Sequence, residues 1–526
     1  MHHQSDGRPP GRSFSFPRMT SGALAAYESG RWFEALASAR AAVASDPNDV
    51  DALALLGRIA LDGDDVPGAV GLLQAALVRS PDHARAQADL KRALAERPDP
   101  DRGTKLFAQA CAIDPSIAVH CEIGTLLLDT PTLGILDALV RGALLCNPTL
   151  AEAHAALGAI RMRQKRLNEA LASYARATAL RPDFADAYLG YSLRARSLDD
   201  EGLAEAALAA ALAIQRVYVR PARGADAVRV LVLHAPVSWE DEVSVDLLLD
   251  GAFQLIHLYL DEHLLPDPLP AHDVIVVAMS DLERSRPALE RARTVIERSG
   301  RAVINEPERV PRTTRAQLHE RLAGVPGLRV PRTRRLRFDE PLDVASSPVV
   351  IRPVDSHGGR GVARLEGADA LDAYRRITSV PLYDVSDYVD YVSADGLYRK
   401  YRLMFVDFVP YAYHLAISPH WVVHYLSAPM DKNAWMRAEE ARFLADWTTV
   451  FGAHREALAA IAERLGLDYF GIDASIGPSG ELVVFEADAA MFVHCEDPPE
   501  RYAYKHEAVP RIFGAFGNLV RARARR

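Results

Sequence analysis

The sequence predicts a multidomain chain, with an all-α solenoid of helical repeats followed by a region of α/β and then α+β character. Three observations predict it. Short proline steps recur at Asp46-Pro47-Asn48, Ser80-Pro81-Asp82, Asp114-Pro115-Ser116, Asn147-Pro148-Thr149 and Arg181-Pro182-Asp183, with the prolines 34, 34, 33 and 34 residues apart. From about residue 226 the alanine-rich segments give way to β-branched runs at Val228 to Leu233, Val274 to Ala278 and Ala302 to Asn305. Further on, strand-like runs with an antiparallel look mix with helices through to the C-terminus, and a glycine-rich loop and a cluster of acids lie among them.

At 526 residues the chain is too long for one hydrophobic core, and 49% apolar residues suit two to four ordinary globular domains. The net charge of -9, with no basic block outside the last few residues, gives no reason to expect nucleic acid as a partner. Cys111, Cys121, Cys146 and Cys495 are widely spaced and form no C-x-x-C, which argues against a disulfide framework or a zinc site and suits a reducing compartment. Residues 1–20 lack an apolar core and read as a disordered leader and not a signal peptide. No run is long and apolar enough for a membrane span, so the expectation is a cytoplasmic protein without a membrane partner.

Between the proline steps run pairs of amphipathic, alanine- and leucine-rich segments, with a small residue midway along the first of each pair at Gly57, Gly124, Gly158 and Gly190. A helix pair cannot bury its apolar face alone; small residues let helices approach, and each proline turns the chain into the next pair. The pattern resembles the tetratricopeptide repeat (TPR), with about five repeats over residues 21–217. The resemblance implies a groove for a protein or peptide partner, although such a solenoid can also act as pure scaffold. Tyr218 to Asp226 reads as a linker, and residues 226–308 as a small α/β domain with a parallel sheet.

In the last region, residues 309–520, the sharpest local signal is Pro348-Val349-Val350-Ile351-Arg352-Pro353 followed by His357-Gly358-Gly359-Arg360-Gly361-Val362. An apolar strand ends in a cation, and a glycine-rich loop returns into another apolar strand. Glycines let several backbone N–H groups approach one anion while the cation neutralises it, and a triphosphate suits that design. No G-K-[ST] follows, so it is not a Walker A loop. A flexible surface hairpin is the alternative reading.

Downstream, Leu467 to Asp473 and Leu482 to Asp488 read as two strands joined across Gly477-Pro478-Ser479-Gly480. A two-residue Ser479-Gly480 loop pairs residues whose numbers sum to 959, which sets Asp473 opposite Glu486 and puts Asp488 on the face of Glu486. Three carboxylates on one face repel unless a cation joins them, and hard oxygen ligands suit magnesium; a solvent-facing acidic edge is the alternative reading. Tyr398 to Val406 reads as another strand with Lys400 and Arg402 on one face, ready for phosphate or a substrate carboxylate, or simply solvated. His414, His420 and His424 form no convincing metal set.

The order and spacing of these elements over residues 226–520 resemble the ATP-grasp superfamily, which includes D-alanyl-D-alanine ligase, glutathione synthetase and ribosomal-protein glutamate ligases. The resemblance implies roles residue by residue. Arg315, after Thr313-Thr314, is the cation opening a helix, Arg352 is the second phosphate-binding cation, and Gly358, Gly359 and Gly361 form the phosphate loop. Ser386, Asp387, Tyr388 and Val389 lead to the adenine pocket, with Lys400 nearby, and Asp473, Glu486 and Asp488 match the D-x12-E-x-N magnesium signature, implying ATP with two ions. Arg315 and Arg352 stand where lysine is common, and Asp488 where asparagine is usual; arginine meets phosphate as a planar fork instead of a point charge. Ala489 to His494 replaces the serine and glycine loop of the cell-wall ligase, which argues against that activity.

The implied reaction activates a carboxylate substrate as an acylphosphate, with Arg352 and Arg402 as fixed catalytic cations, and an amine or peptide acceptor then displaces phosphate. His494 and Lys505 either touch that acceptor or are ordinary surface residues. Two other readings remain at this level: a catalytically degenerate nucleotide-binding TPR scaffold, and an ATP-grasp phosphotransferase.

Overall fold

The computed structural model describes residues 19–62, 65–95, 100–113, 130–198, 200–222, 227–236, 243–342, 347–356, 359, 361–367, 369–425, 427–495 and 497–526. The chain forms two compact units, Met1–Arg194 and Ala195–Arg526.

The first unit is helical. Met19–Glu28 packs on Trp32–Ser45, Val50–Asp62 on Val66–Arg79, and Ala151–Arg163 on Leu167–Leu180. The proline steps end helices for a local reason, since a following proline pushes the preceding residue out of the helical region. Asp46, Ser80 and Arg181 have φ of -137°, -141° and -138°, and the N–H of each still bonds a carbonyl in the last turn of its helix. The mid-helix glycines are sites of close approach. A Cβ on Gly158 or Gly190 would fall 2.8 or 2.5 Å from the ring of Tyr174, which the two glycines enclose in complete burial. Gly57 is closed in the same way by Leu73. Gly124 and the step at Pro115 lie outside the described residues.

Among the described residues the second unit holds three sheets. The first has the order β1-β3-β2-β4-β5, from Val217–Arg220 (β1), Val228–His234 (β2), Phe253–Tyr259 (β3), Val274–Val277 (β4) and Val303–Ile304 (β5). β2 to β5 are parallel, and their near-continuous apolar runs reflect burial on both faces. β1 runs antiparallel to β3. The stretch from Tyr218 read as linker is thus in part an edge strand: Tyr218 buries its ring and Arg220 reaches the carbonyls of Asp246 and Leu249 at 2.9 Å. Its short alternating pattern is easily overlooked beside an arginine-, glycine- and alanine-rich segment.

The second sheet, β7-β10-β8-β9, is antiparallel where its strands pair, and comprises Thr333–Arg337 (β7), Val349–Pro353 (β8), Ala363–Leu365 (β9) and Leu382–Asp387 (β10). The third, β12-β11-β13-β14-β6, comprises Leu328–Arg329 (β6), Tyr398–Val406 (β11), Val409–Ser418 (β12), Tyr469–Ile476 (β13) and Leu482–Asp488 (β14). Its core includes Leu403, Phe405, Phe470, Ile472 and Val484 and is continuous with Leu231, Leu233 and Ile275 of the first sheet.

One buried side chain fixes β13 against that first sheet. Asn305, at φ 63° just past β5, accepts from the N–H groups of Asp468 and Tyr469 at 3.0 and 2.9 Å and donates to the Tyr469 carbonyl at 2.7 Å. Positive φ suits asparagine better than most residues, and full hydrogen bonding offsets its burial. The strand bearing Asp473 is thereby anchored at its start.

The β13–β14 hairpin corrects the expected two-residue loop. Gly477 N–H bonds the Glu481 carbonyl at 2.8 Å and Gly480 takes φ 83°, so Pro478, Ser479 and Gly480 form a three-residue loop. Near the turn, Ile476 pairs Leu482 and Ala474 pairs Val484, a register one residue off. A bulge at Phe485 then inserts one extra residue, and Asp473 stands opposite Glu486 after all.

Candidate functional site

A cavity of 310 Å³ opens between the second and third sheets, lined by residues of β8, β10, β11, β13 and β14 together with Arg315, Gly359 and the segment from Trp421 to His424. It gathers most of the residues singled out from sequence: Arg315, Arg352, Gly359, Ser386, Asp387, Tyr388, Val389, Lys400, Arg402, Asp473, Glu486 and Asp488 all line it. Gly358 lies outside the described residues.

Each position follows from local structure. Arg315 opens the helix Arg315–Leu322, whose cap is Thr314, the side chain accepting from Gln317 N–H. Period two along β11 sends Tyr401 into the core against Phe443 and Phe451 and leaves Lys400 and Arg402 facing the cavity. Gly361, at φ 66°, closes the turn between β8 and β9, and a Cβ there would meet Pro353 Cδ at 2.8 Å. The Tyr374 hydroxyl donates to its carbonyl at 2.6 Å and holds the turn from behind.

Charge pairing dominates the interior. Arg402 Nε and Nη2 donate to the two oxygens of Asp473 at 2.7 and 3.0 Å, and Lys400 Nζ reaches the same carboxylate at 2.9 Å. Arg315 pairs with Glu486. Burial pushes the Asp473 carboxyl up, but the Arg402 and Lys400 charges outweigh it and hold the group well below the ordinary carboxylate range. Arg352 donates to the Ser356 hydroxyl at 3.2 Å. Burial and then the neighbouring Arg315 charge bring its guanidinium down to about 10, so two cations crowd here in a way an anion would relieve.

The other end is aromatic. Tyr391 packs on Phe485 at 4.7 Å between ring centroids, and Tyr388 sits edge-on to Trp421 at 5.7 Å. The bulge that restores the acid register also turns both Phe485 and Glu486 to the cavity, which strict alternation forbids. Sequence reasoning did not name Phe485, Tyr391 or Trp421. The Asp387 and Tyr388 N–H groups bond the carbonyls of Arg332 and Pro348 at 3.0 and 3.3 Å, and Ser386 shares a hydrogen bond with Thr333 at 2.7 Å.

Lys505 is neither a surface residue nor a lining residue of this cavity. It is buried, bonded to Asp497 at 3.0 Å and the Tyr425 hydroxyl, with Glu440 at 3.7 Å. The backbone N–H of His494 bonds the Tyr413 hydroxyl at 3.0 Å.

As a magnesium site the donor set is chemically suited. Glu486 and Asp488 are two residues apart on β14, line one cavity with Asp473, and offer hard oxygens of the number this ion takes from protein. Among the described residues no group of three or more His, Cys, Asp or Glu side chains is gathered closely enough to hold a metal; Arg315 pairs with Glu486, and Lys400 and Arg402 pair with Asp473. Among the described residues no helix is long and apolar enough to cross a membrane.

No family model and no curated protein matches the sequence. Solved structures do match. The D-alanine–D-alanine ligase from Bacillus anthracis complexed with ATP is 14% identical, with 57% of this chain and 99% of that one covered and a TM-score of 0.35. The RimK domain protein ATP-grasp from Sphaerobacter thermophilus is 17% identical, with 56% and 99% covered and a TM-score of 0.32. MamA is 18% identical, with 36% and 93% covered and a TM-score of 0.16.

Proposed function

We propose that this chain is an ATP-dependent ligase that joins a carboxylate to an amine through an acylphosphate, on an ATP-grasp unit over residues 226–308 and 309–520. One observation carries the reading: Arg315, Arg352, Lys400 and Arg402 share a single cavity with Asp473, Glu486, Asp488, the Gly359 turn and an aromatic end. A nucleotide needs that sequence of surroundings, apolar for the base, cationic for phosphate and acidic for its metal.

In this reading Phe485 and Tyr391 pack against the base, beside Ser386 to Val389, while the glycine turn and Arg352 hold phosphate. Glu486 and Asp488, with Asp473, would hold magnesium, which would supply positive charge against the phosphate. Asp473 also acts through Arg402, because its bidentate grip aims that side chain at the transferred group and leaves guanidinium donors preorganised for developing charge. Lys400 neutralises the same region as a point charge. The helical repeats, residues 21–217, recruit the peptide or protein that carries one substrate.

The test is ADP release from MgATP across a panel of amino acids and peptides, with hydroxylamine as trap. A carboxylate-dependent hydroxamate supports the reading, and a stable phosphorylated product instead of an amide contradicts it. A second reading, a nucleotide-binding unit without catalysis, is favoured by the pairing of Asp473 and Glu486 with cations of the chain. It requires nucleotide binding with no ADP release under any acceptor.

A further inference from the structure

A second cavity, of 160 Å³, shares Arg315, Glu486 and Asp488 with the first. Its other wall is the segment just after β4, where Ser280 and Asp281 line the cavity. The Asp281 side chain is 2% exposed. Among the described residues neither of its carboxylate oxygens has a hydrogen-bond partner, nor does the buried Ser280 hydroxyl beside it.

The neighbouring cations do not meet this need. Arg286 stands 3.8 Å from Asp281, beyond hydrogen-bond range, and donates at 2.8 Å to Glu283. Arg335 pairs with Glu283, and Arg315 with Glu486. Five carboxylates and three guanidiniums line the cavity, so it is short of positive charge. Asp355, on the same wall, is held at φ 59° and accepts from the Glu283 N–H at 3.1 Å, which ties the loop after β8 to the segment after β4. Burying a carboxylate with no donor is unfavourable, so folding alone does not account for Asp281. Burial raises its carboxyl above the ordinary range, with Arg286 pulling the other way.

We propose that this cavity binds a primary ammonium group and is the acceptor subsite of the ligase described above, on which reading the word acceptor rests. The match is stoichiometric. Three oxygens without donors, Asp281 Oδ1 and Oδ2 and Ser280 Oγ, face a group that carries three N–H donors and no acceptor. A carboxylate or phosphate brings only acceptors and leaves all three unmet. The shared Glu486 and Asp488 put such an amine beside the acids proposed to hold magnesium, where an activated carboxylate would be formed.

The experiment is a ligand-observed NMR titration of the full chain with n-propylammonium chloride, n-propanol as the uncharged control, repeated on D281N and S280A. The proposal expects binding of the ammonium to the parent chain at least about tenfold tighter than n-propanol, lost in D281N and weakened in S280A. D281N should melt no lower than the parent, because it removes a buried charge without a donor. Equal affinity for both probes, no ammonium binding (a cavity that holds water only), unchanged binding in D281N, or a D281N chain that melts well below the parent would each overturn it. A fluorescent ATP analogue titrated into the same samples separates the two ideas. Nucleotide binding without ammonium binding sinks the subsite alone, whereas ammonium binding in a chain that takes no nucleotide removes its role as acceptor.

Discussion

Asp473 and Glu486 stand directly opposite each other across β13 and β14, and each is held by a different cation: Asp473 by Arg402 at 2.7 and 3.0 Å, Glu486 by Arg315. Facing carboxylates on one strand pair repel, so the cations are what let the pair exist in a half-enclosed cavity. The same guanidiniums are those a phosphate would draw on. On the proposed reading, a metal at Glu486 and phosphate at Arg315 would be linked, each drawing away the other's partner, while Asp473 keeps its grip on Arg402.

Removing Glu486 should abolish turnover without unfolding the chain. E486A is expected to lower kcat for ADP release by about 10²-fold or more, with an unchanged far-ultraviolet spectrum. Activity within a factor of about two of the parent would remove Glu486 from the site.

Removing Arg402 should act on stability as well as on turnover. R402M takes the bidentate partner from the buried Asp473 and leaves it the single ammonium of Lys400, and is expected to cost about 3 kcal/mol in chemical denaturation. Adding D473N should recover part of that loss, because no unpaired charge remains. Additive losses in the double variant would contradict the coupling.

How much of this was legible beforehand differs from residue to residue. The helical repeats, the Lys400 and Arg402 face and the convergence of Asp473 with Glu486 follow from period and spacing, which short-range geometry obeys. The hairpin loop did not follow, and the acids still meet only because the bulge at Phe485 cancels the longer turn. Phe485 itself was hidden by that bulge, since alternation assigns it to the face away from Glu486. Tyr391 and Trp421 come from loops that only tertiary packing brings to the cavity. Asp281 was invisible for another reason: a single acid after a strand acquires meaning only when its oxygens are seen to lack partners.

Acid should expose the Asp473 pairing. Its carboxyl is lowered in the fold, so the unfolded chain takes up its proton first as pH falls. The stabilisation is then complete above the unfolded value of ~3.9 and is lost progressively below it. Thermal melts of D473N should show a shallower fall in Tm between about pH 4 and pH 2 than the parent, and parallel curves would contradict the assignment.

The glycine turn offers a paired comparison. G361A places a Cβ 2.8 Å from Pro353 Cδ at φ 66°, in the turn that reaches the cavity, whereas G396A strains φ 79° in open space. G361A is expected to raise KM for ATP about tenfold, while G396A lowers stability by about 1 kcal/mol and leaves KM alone. Equal effects of the two on KM would mean that the turn does not touch nucleotide.

Nucleotide binding by this chain should depend on magnesium, and calorimetry with a non-hydrolysable ATP analogue reads that dependence most directly. The parent chain should bind at least about tenfold more tightly with magnesium than with EDTA, and E486Q with D488N should erase that difference while keeping the metal-free affinity. Binding that ignores magnesium, or a parent chain that takes up no nucleotide in either buffer, would contradict it.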